Sequence, residues 1–264
     1  MAGLDNFCWP DPIESEKTPD GKFKLAQLVR ANRELERVCR AYRLPCVSGK
    51  DSMKNDYGVW PNKISIPPTM LFSLFGNHVD VRNTATSNFK QHGQRIYLVG
   101  NSKNELGASE VAYHLTEKNL TAGIGGNVPR LPEPERQLDI YRRLSKTIQD
   151  GLIRTAHDCS EGGLAVAVAE MCIGGRLGAI IDIDGIGEGD SFSRLWSESL
   201  GRIVVAVDSE HEMQFIEAMS DADIHLIGMV TDTQNLIIED GYDELIQANV
   251  ADLTKSWKEA LDMT

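Results

Sequence analysis

Five consecutive residues, His157–Glu161, bring an imidazole, two carboxylates and a hydroxyl together just before the glycines Gly162 and Gly163. The small residues of Leu164–Cys172 follow, and they predict a helix that the glycines would open. A helix N-terminus that follows glycine favours anions such as phosphate. Asp158 offers the oxygen ligands that Mg²⁺ prefers. The segment therefore predicts phosphate or metal binding, with capping of the helix by Ser160 or Glu161 as the structural alternative.

A second polar segment, Ser48–Ser52, joins a glycine to hydroxyl, carboxylate and ammonium groups after the short predicted strand Cys46-Val47. Gly49-Lys50 does not form a P-loop, because that motif needs glycine where Leu44 stands and Ser or Thr where Asp51 stands. A turn of this composition can still present backbone N–H groups to phosphate. A solvated turn without special function is the alternative.

Three shorter features are further candidates. Glu198 lies in a polar segment just before the predicted strand Arg202–Val207, where a carboxylate could bind ligand hydroxyls or a metal, or the segment could simply start the strand. Asp5, next to Asn6, could bind a metal or nucleotide, or reflect chain-end polarity. His157 could serve as a general base, although a histidine after an apolar strand is more ordinarily a structural hydrogen-bonding group.

The elements that must position these residues alternate between helix and strand, which predicts an α/β or α+β architecture. The first twenty residues, with three prolines, are predicted to be mostly irregular, and helical spacing predicts a helix from about Lys22 to Arg43. Thr69–Phe75 is predicted to be a buried strand. Later strands are predicted at Arg95–Val99, Ala179–Ile183, Arg202–Val207, His225–Met229 and Leu236–Glu239, and later helices at Glu133–Ile153, Leu164–Cys172, Glu210–Met219 and from Tyr242 onward.

The length and charge of the chain limit its partners. Its 264 residues suffice for one large or two modest domains, and the polar stretch at 83–88 is the best boundary. A net charge of -12 predicts that nucleic acid is no partner, whereas a small phosphorylated ligand would be bound by local loops and metal ions. No apolar run approaches the roughly 20 residues of a membrane span, and no signal peptide is evident. We therefore expect a cytoplasmic protein without membrane contact.

The cysteines are Cys8, Cys39, Cys46, Cys159 and Cys172. Their odd number and the absence of a CxxC pair argue against a zinc site or a disulfide framework. We expect small, mostly buried thiols, as is usual for free cysteine.

Five short segments follow one another along nearly the whole chain. They are Leu4–Trp9, Ser48–Met53, Ile66–Thr69, His157–Leu164 and Ser197–Arg202. Together they resemble the C-terminal part of the synthetase subunit of the phosphoribosylformylglycinamidine synthases, within the aminoimidazole ribonucleotide synthetase-like superfamily. Any one segment is a weak signal, but five in the same order are specific.

The resemblance implies an α+β (α/β) fold in two parts. Residues 1–88 would form a partial N-terminal-type domain, with half-barrel strands and a helix, and residues 89–264 the complete α/β C-terminal-type domain. The family's synthetase contains two tandem units of this kind. The chain resembles the later portion of the second unit.

The resemblance also implies an activity, with ATP and Mg²⁺ as cofactors. In the family, ATP phosphorylates formylglycinamide ribonucleotide, and ammonia from glutamine displaces the phosphate to give formylglycinamidine ribonucleotide. The implied partners are these ligands, the remaining synthetase domains and a glutaminase subunit or domain. Because the family's catalytic histidine and main magnesium carboxylates lie in the first unit, we expect no catalytic residue here and little or no turnover by the chain alone.

The first group of implied site residues lies near the N-terminus. Asp5 and Gly49 correspond to residues that contact ATP, and Ser52 to a serine near the ribonucleotide substrate. Lys50 stands where short-form synthetases have a magnesium-binding asparagine, so it is assigned to ATP through phosphate contact rather than to the metal.

The second group lies in the C-terminal part. Asp158 and Ser160 resemble a metal and nucleotide pair in the second, non-turnover nucleotide site of the long forms. Glu198 resembles, by internal symmetry, a glutamate that contacts substrate in the first unit.

Two other functions stay open at this stage. The chain could be a structural or interaction module with a vestigial nucleotide site, or a separate kinase or synthetase that acts alone on another phosphorylated metabolite. The first domain, short of strands, is predicted to expose apolar edge surface. Self-association, as a homodimer through the barrel strands, or pairing with the missing unit would cover it.

Overall fold

The structure is a computed structural model that describes residues 1–58, 63–78, 80–117 and 127–260. The chain divides into two compact units, Met1–Val79 and Asp80–Thr264. Residues shortly before the predicted boundary already bond within the second unit, since the Thr86 N–H donates to the Arg154 carbonyl and the Ala156 N–H donates to the Thr86 carbonyl. The division into domains at residue 88 stays a prediction.

The first unit contains a three-stranded sheet, one long helix and a small two-stranded sheet. Its elements are β1 (Ala2–Cys8), α1 (Gly21–Tyr42), β2 (Cys46–Ser52), β3 (Asp56–Tyr57), β4 (Ile64–Ser65) and β5 (Thr69–Phe75). β1 lies in the middle of the larger sheet, parallel to β2 and antiparallel to β5, and β3 pairs with β4. The long helix predicted from sequence is confirmed, and it ends at Tyr42, just before Arg43, which adopts a left-handed conformation.

Two expectations for this unit are wrong. The first residues, predicted to be irregular, form the central strand β1, whose low content of β-branched residues gives no local strand signal. Ser48–Ser52, expected to be a turn, belongs to β2, because Gly49 and Lys50 pair in register with Asp5 and Asn6. Long-range strand pairing decides both segments.

The strand β5 is confirmed, but its predicted burial is wrong. Leu71, Leu74 and Phe75 are 60%, 58% and 55% exposed. A sheet of three strands leaves much apolar surface open, and no other described element of this unit covers it. The expected exposure of apolar surface in the first domain is thus present.

The second unit is a seven-stranded sheet with six helices among its described residues. The strands are β6 (Arg95–Val99), β7 (Ile153–Asp158), β8 (Gly178–Asp182), β9 (Ile203–Val207), β10 (Ile224–Thr231), β11 (Asn235–Asp240) and β12 (Asp243–Asn249). The helices are α2 (Glu110–Glu117), α3 (Pro134–Gln149), α4 (Gly163–Gly175), α5 (Ser191–Trp196), α6 (Glu212–Ala218) and α7 (Val250–Glu259). Across the sheet the order is β12-β11-β8-β10-β6-β9-β7, and neighbours are antiparallel apart from the parallel pair β8–β11.

Apolar cores lie on both faces of this sheet. Along β6, Ile96 and Leu98 face the core that contains α4, whereas Tyr97 and Val99 face the core that contains α3 and α6. Alternation along a strand sends successive side chains to opposite faces. The continuous burial of β6 and β9 follows from helices on both sides, and the predicted mixed α and β fold class is confirmed.

Several predicted boundaries in this unit are wrong. α3 ends at Gln149 rather than Ile153, which instead begins β7 after Gly151 with a φ of +77°. The helix predicted from Tyr242 starts only at Val250, because β11 and β12 form a hairpin around Gly241, whose φ is +63°. The sequence pattern also missed α2 and α5.

None of the described helices combines the length and apolarity that a bilayer span requires.

Candidate functional site

The loop between β7 and α4 is shaped by two glycines. Gly162 and Gly163 have φ values of +78° and +65°, a region that favours glycine. A Cβ at Gly163 would lie 2.5 Å from the carbonyl oxygen of Ser197 and 2.6 Å from that of Leu195. The second glycine therefore lets the start of α4 approach the segment after α5.

Asp158 and Ser160, predicted to be a metal and nucleotide pair, lie side by side in this loop. Ser160 Oγ donates a hydrogen bond to Asp158 Oδ2. This bond, assisted by His157, holds the pKa of the Asp158 carboxyl below its ordinary value. No side-chain hydrogen bond caps α4 at Gly162. The expected capping by Ser160 or Glu161 is absent from this described loop, and Ser160 bonds to the carboxylate instead.

The imidazole of His157 joins the end of β7 to α4. Its Nε2 lies 2.9 Å from Glu170 Oε2, and its Nδ1 lies 3.4 Å from Asp158 Oδ1. The ring is mostly buried. The bond to Glu170 agrees with the structural hydrogen-bonding alternative for His157, whereas Nδ1 lies beside the Asp158 carboxylate without a hydrogen bond to it.

Glu198 joins two helix N-termini. Its Oε1 accepts hydrogen bonds from the backbone N–H of Glu110, at the start of α2, over 2.8 Å and from that of Gly162, before α4, over 2.9 Å. A carboxylate at this place satisfies N–H groups that have no partner within their own helices and interacts favourably with both helix dipoles. Glu198 therefore ties α2 to the β7–α4 loop, and its assignment to substrate stays a prediction.

The segment that contains Glu198 is held by a buried arginine. Arg202 is 1% exposed, and its guanidinium donates to the carbonyl oxygens of Ser197 and Ser199 and to Ser102 Oγ. Burial lowers the pKa of Arg202, although charge-assisted hydrogen bonds compensate for lost hydration. The arginine fixes the backbone from which Glu198 projects.

Two cavities share the loop residues Asp158, Ser160 and Glu161. The first, of about 510 Å³, lies between α2 and α4, and the second, of about 560 Å³, lies beside the segment around Arg202. The first cavity has an apolar part, formed by Val111, Leu115, Val166, Ala167 and Trp196, and an acidic part, formed by Glu110, Asp158, Glu161 and Glu170. Its described lining includes no lysine or arginine.

The four site residues predicted in the first unit form two pairs. The Asp5 carboxylate lies over Gly49, its register partner in the parallel strand, and Lys50 Nζ donates to Ser52 Oγ. Register partners share a face of a sheet, and successive residues alternate. Asp5 is therefore on the face toward α1, near Cys39, whereas Lys50 and Ser52 are on the opposite face. The sheet separates the two pairs.

A metal at Asp158 would need ligands beyond the described acidic and imidazole groups. Among the described residues, three such side chains have ligand atoms close to one another only at Asp208, Glu210 and His211. These residues do not belong to the β7–α4 loop. Mg²⁺ characteristically keeps waters and takes oxygens from substrate phosphates. Asp158 fits that mode of binding as a single protein ligand.

Sequence reasoning missed the apolar part of the first cavity and both backbone partners of Glu198, the N–H groups of Glu110 and Gly162. The spacing of Val111 and Leu115, four residues apart, could have indicated α2, and Asp190, whose side chain accepts from the Ser193 N–H, could have indicated the start of α5. Nothing local indicates that α2 closes a cavity over the β7–α4 loop.

The chain is similar to several solved structures. It matches Thermotoga maritima phosphoribosylformylglycinamidine synthase II at 15% identity and a TM-score of 0.64, covering 96% of this chain and 38% of that one. T. maritima PurL complexed with FGAR matches at 16% identity and a TM-score of 0.67, with 96% and 39% covered. Hydrogenase maturation protein HypE in complex with ATP matches at 12% identity and a TM-score of 0.59, with 94% and 73% covered. At these identities the likeness establishes the fold.

The chain spans less than two fifths of the length of the matched chain in each of the two T. maritima structures. The sequence itself gives the family, because residues 91–241 match the AIR synthase related protein, C-terminal domain. This confirms the superfamily and the fold implied by the five segments. Since the match extends over more than half of its 264 residues, the chain belongs to the AIR synthase related protein family.

Proposed function

We propose that the chain is a portion of an ATP-dependent ligase of purine biosynthesis that converts formylglycinamide ribonucleotide and glutamine-derived ammonia to formylglycinamidine ribonucleotide, ADP and phosphate. Family membership supports an ATP-using synthetase, and the five ordered segments support this particular ligase. The similar T. maritima PurL structures are complexed with ATP and with FGAR. The remaining synthetase domains and a glutaminase would complete the enzyme.

The observation that supports nucleotide binding best is the Asp158–Ser160 pair at the edge of a cavity that is apolar on one side and acidic on the other. An apolar wall with Trp196 suits a flat aromatic base. The four carboxylates would repel the phosphates of a free nucleotide, and the described lining offers no cationic side chain. We therefore propose that the nucleotide binds as its magnesium complex, with Asp158 as the protein ligand and Ser160 near phosphate.

The first unit would supply contacts to a second ligand site. Lys50 and Ser52 lie side by side on the exposed strand β2, and we assign Lys50 to ATP phosphate and Ser52 to the ribonucleotide. Asp5 and Gly49, on the other face, are assigned to ATP as well. Among the described strands β2 pairs only with β1, so β2 is an edge strand of the sheet. A ligand that contacts both pairs would therefore have to reach around this edge.

The chain alone is proposed to bind ligands without turning them over. Among the described site residues, the imidazole of His157 is engaged by Glu170. Phosphoryl transfer depends mainly on positioning and charge stabilisation from all sides of the transferred group. The remaining domains would have to provide most of these contacts.

The test begins with binding by the full chain. Magnesium with ADP or ATP should raise the melting temperature, because a ligand that binds only the folded state stabilises it. Asp158→Asn should abolish most of this increase, and Ser160→Ala should reduce it. Asp243→Asn, which removes the same charge from exposed β12, is the matched control and should behave as wild type. The absence of any shift in the wild type would contradict a nucleotide site.

A second test concerns the reaction. In an enzyme assembled with the remaining synthetase domains and a glutaminase, Lys50→Ala and Ser52→Ala should lower ligation without altering the melting temperature. Normal ligation in both variants would contradict their assignments.

The alternative is a structural module with a vestigial nucleotide site, which the hydrogen bond from Ser160 to Asp158 within the loop would suit. In that case Asp158→Asn would still lower stability with bound nucleotide, but Lys50→Ala and Ser52→Ala would leave ligation by the assembled enzyme unchanged.

A further inference from the structure

Two cysteines of the first unit lie within contact distance of each other. Cys39, in the last turn of α1, has its Sγ 3.7 Å from the Sγ of Cys46, the first residue of β2. Cys46 is exposed and Cys39 is half-buried, whereas Cys159 and Cys172 are buried. The expectation of mostly buried thiols is therefore wrong for this pair, and Cys46 is the one that is exposed to solvent.

The turn between the two cysteines is fixed by backbone hydrogen bonds. The Leu44 N–H donates to the Cys39 carbonyl over 2.8 Å, which closes the end of α1. The Pro45 carbonyl accepts from the Gly3 N–H over 2.9 Å, which attaches the start of β2 to β1. Both sulfurs thus extend from anchored backbone. A disulfide bond of about 2.05 Å requires the sulfurs to approach by roughly 1.7 Å, within reach of side-chain rotation.

We propose that Cys39 and Cys46 form an oxidisable dithiol that a peroxide converts, reversibly, to an intramolecular disulfide. The proximity of the sulfurs, the exposure of one of them and the fixed turn between them support this modification site. It does not depend on the proposed ligase activity.

The chemistry requires one peroxide for each disulfide. The Cys46 thiol loses its proton and the thiolate attacks a peroxide oxygen, so that an S–O bond forms, the O–O bond breaks and a sulfenic acid remains. The leaving oxygen takes up the proton that Cys46 gave up and is released as water or an alcohol. Cys39 then gives up its proton and attacks the sulfenic sulfur, so that the S–S bond forms and the S–O bond breaks with release of water. The two sulfurs lose two electrons in total and the peroxide gains them. A dithiol reductant reverses the change.

The order of these steps follows from the surroundings of each sulfur. Burial and the adjacent Cys46 raise the pKa of Cys39 to about 11, so Cys39 stays protonated at neutral pH. The exposed Cys46 is the sulfur that a peroxide meets first. Cys39 is then the resolving thiol, already within contact distance.

The disulfide would link the end of α1 to the strand that contains Gly49, Lys50 and Ser52. In the reduced chain, β2 is bonded on one side to β1 within the described residues. The covalent link would restrict the outward movement of this strand.

The experiment uses the full reduced chain, treated with hydrogen peroxide, blocked with an alkylating agent and digested with trypsin. The expected product is a disulfide-linked pair of the peptides Val38–Arg40 and Leu44–Lys50, lighter than their sum by two hydrogen atoms and lost on treatment with dithiothreitol. Cys39→Ser and Cys46→Ser should each abolish this product, and Cys8→Ser, a matched control, should keep it at the wild-type level. When the alkylating agent is added in denaturant after the peroxide is removed, Cys159 and Cys172 should be found alkylated and not oxidised, since burial raises the pKa of each thiol in the folded chain.

Two results would overturn the proposal. One is that, in the peroxide-treated wild-type chain, Cys46 is oxidised to sulfinic acid and the disulfide-linked peptides are not found. The other is a disulfide that joins two chains, recognised by a doubled mass without reductant. Circular dichroism of both serine variants, expected to match the wild type, shows that loss of the product does not reflect unfolding.

Discussion

The Asp5 carboxylate lies against Gly49 of the neighbouring parallel strand, so closely that a Cβ at position 49 would stand 2.9 Å from Asp5 Oδ1. The glycine therefore leaves room for the carboxylate on the face of β2 toward α1. Two residues that were 44 positions apart in the sequence form one local arrangement through strand pairing.

Gly49→Ala should displace the Asp5 carboxylate. Because the strand backbone at position 49 does not require glycine and the carboxylate can rotate, we expect the free energy of unfolding to change by less than about 1 kcal/mol. If Asp5 contacts ATP, the KM for ATP of the enzyme assembled with its remaining domains should rise about tenfold, equivalent to about 1.4 kcal/mol. Ser48→Ala, on the same strand, is the control. An unchanged KM for ATP in Gly49→Ala would contradict the assignment of Asp5 to ATP binding.

Replacing Glu198 should destabilise the second unit through its two backbone partners. Glu198→Ala removes the acceptor of the Glu110 and Gly162 N–H groups, and we expect a loss of about 1–2 kcal/mol in the free energy of unfolding. Glu198→Gln keeps an acceptor oxygen but loses the charge, so its loss should be smaller, about 0.5 kcal/mol. Urea unfolding at neutral pH measures both. Equal stability of wild type and Glu198→Ala would contradict the bridging role.

The hydrogen bond from Ser160 should determine the titration of Asp158. In Ser160→Ala, the pKa of Asp158 should rise toward its ordinary value of 3.8, because the largest cause of its lowering is removed. Carbon-detected NMR of the carboxyl group measures this shift. An unmoved pKa would mean that another group stabilises the ionised form.

The same shift has a consequence for stability at low pH. A carboxyl whose pKa is lower in the folded chain stabilises the fold above its unfolded pKa, and this contribution disappears as the pH falls through the folded pKa. The stability difference between wild type and Asp158→Asn should therefore shrink from pH 7 to below pH 3.8. A difference that stays constant over this range would contradict the assignment.

Gly163→Ala should destabilise the chain far more than Gly151→Ala. Both glycines have positive φ values, +65° and +77°, so alanine is strained at each position by about 1 kcal/mol. At Gly163 the new Cβ would also meet two backbone carbonyl oxygens within 2.6 Å, whereas at Gly151 it would meet nothing within 4 Å. We expect a total loss of about 3 kcal/mol at Gly163. Similar unfolding midpoints of the two variants would show that α4 can shift away from the Ser197 segment.

The sequence by itself determined the elements whose signals are local. Helical spacing with a following proline predicted α1, and apolar runs predicted β6 and β9, because burial on one or both faces leaves a period in the residue types. The five ordered segments likewise identified the family and marked the β7–α4 loop, where Asp158 and Ser160 are two residues apart and meet directly.

Only the tertiary structure decided which segments pair with and pack against these elements. The strand character of β1 and of Ser48–Ser52 depends on pairing between distant segments, and the hydrogen bond from the Glu110 N–H to Glu198 spans 88 positions. The contact between Cys39 and Cys46 likewise depends on how α1 folds back onto β2. Residue periodicity records that a face is covered but not which partner covers it, since hydrophobic burial is non-directional. The partners are specified by backbone pairing and packing that exist only in the folded chain.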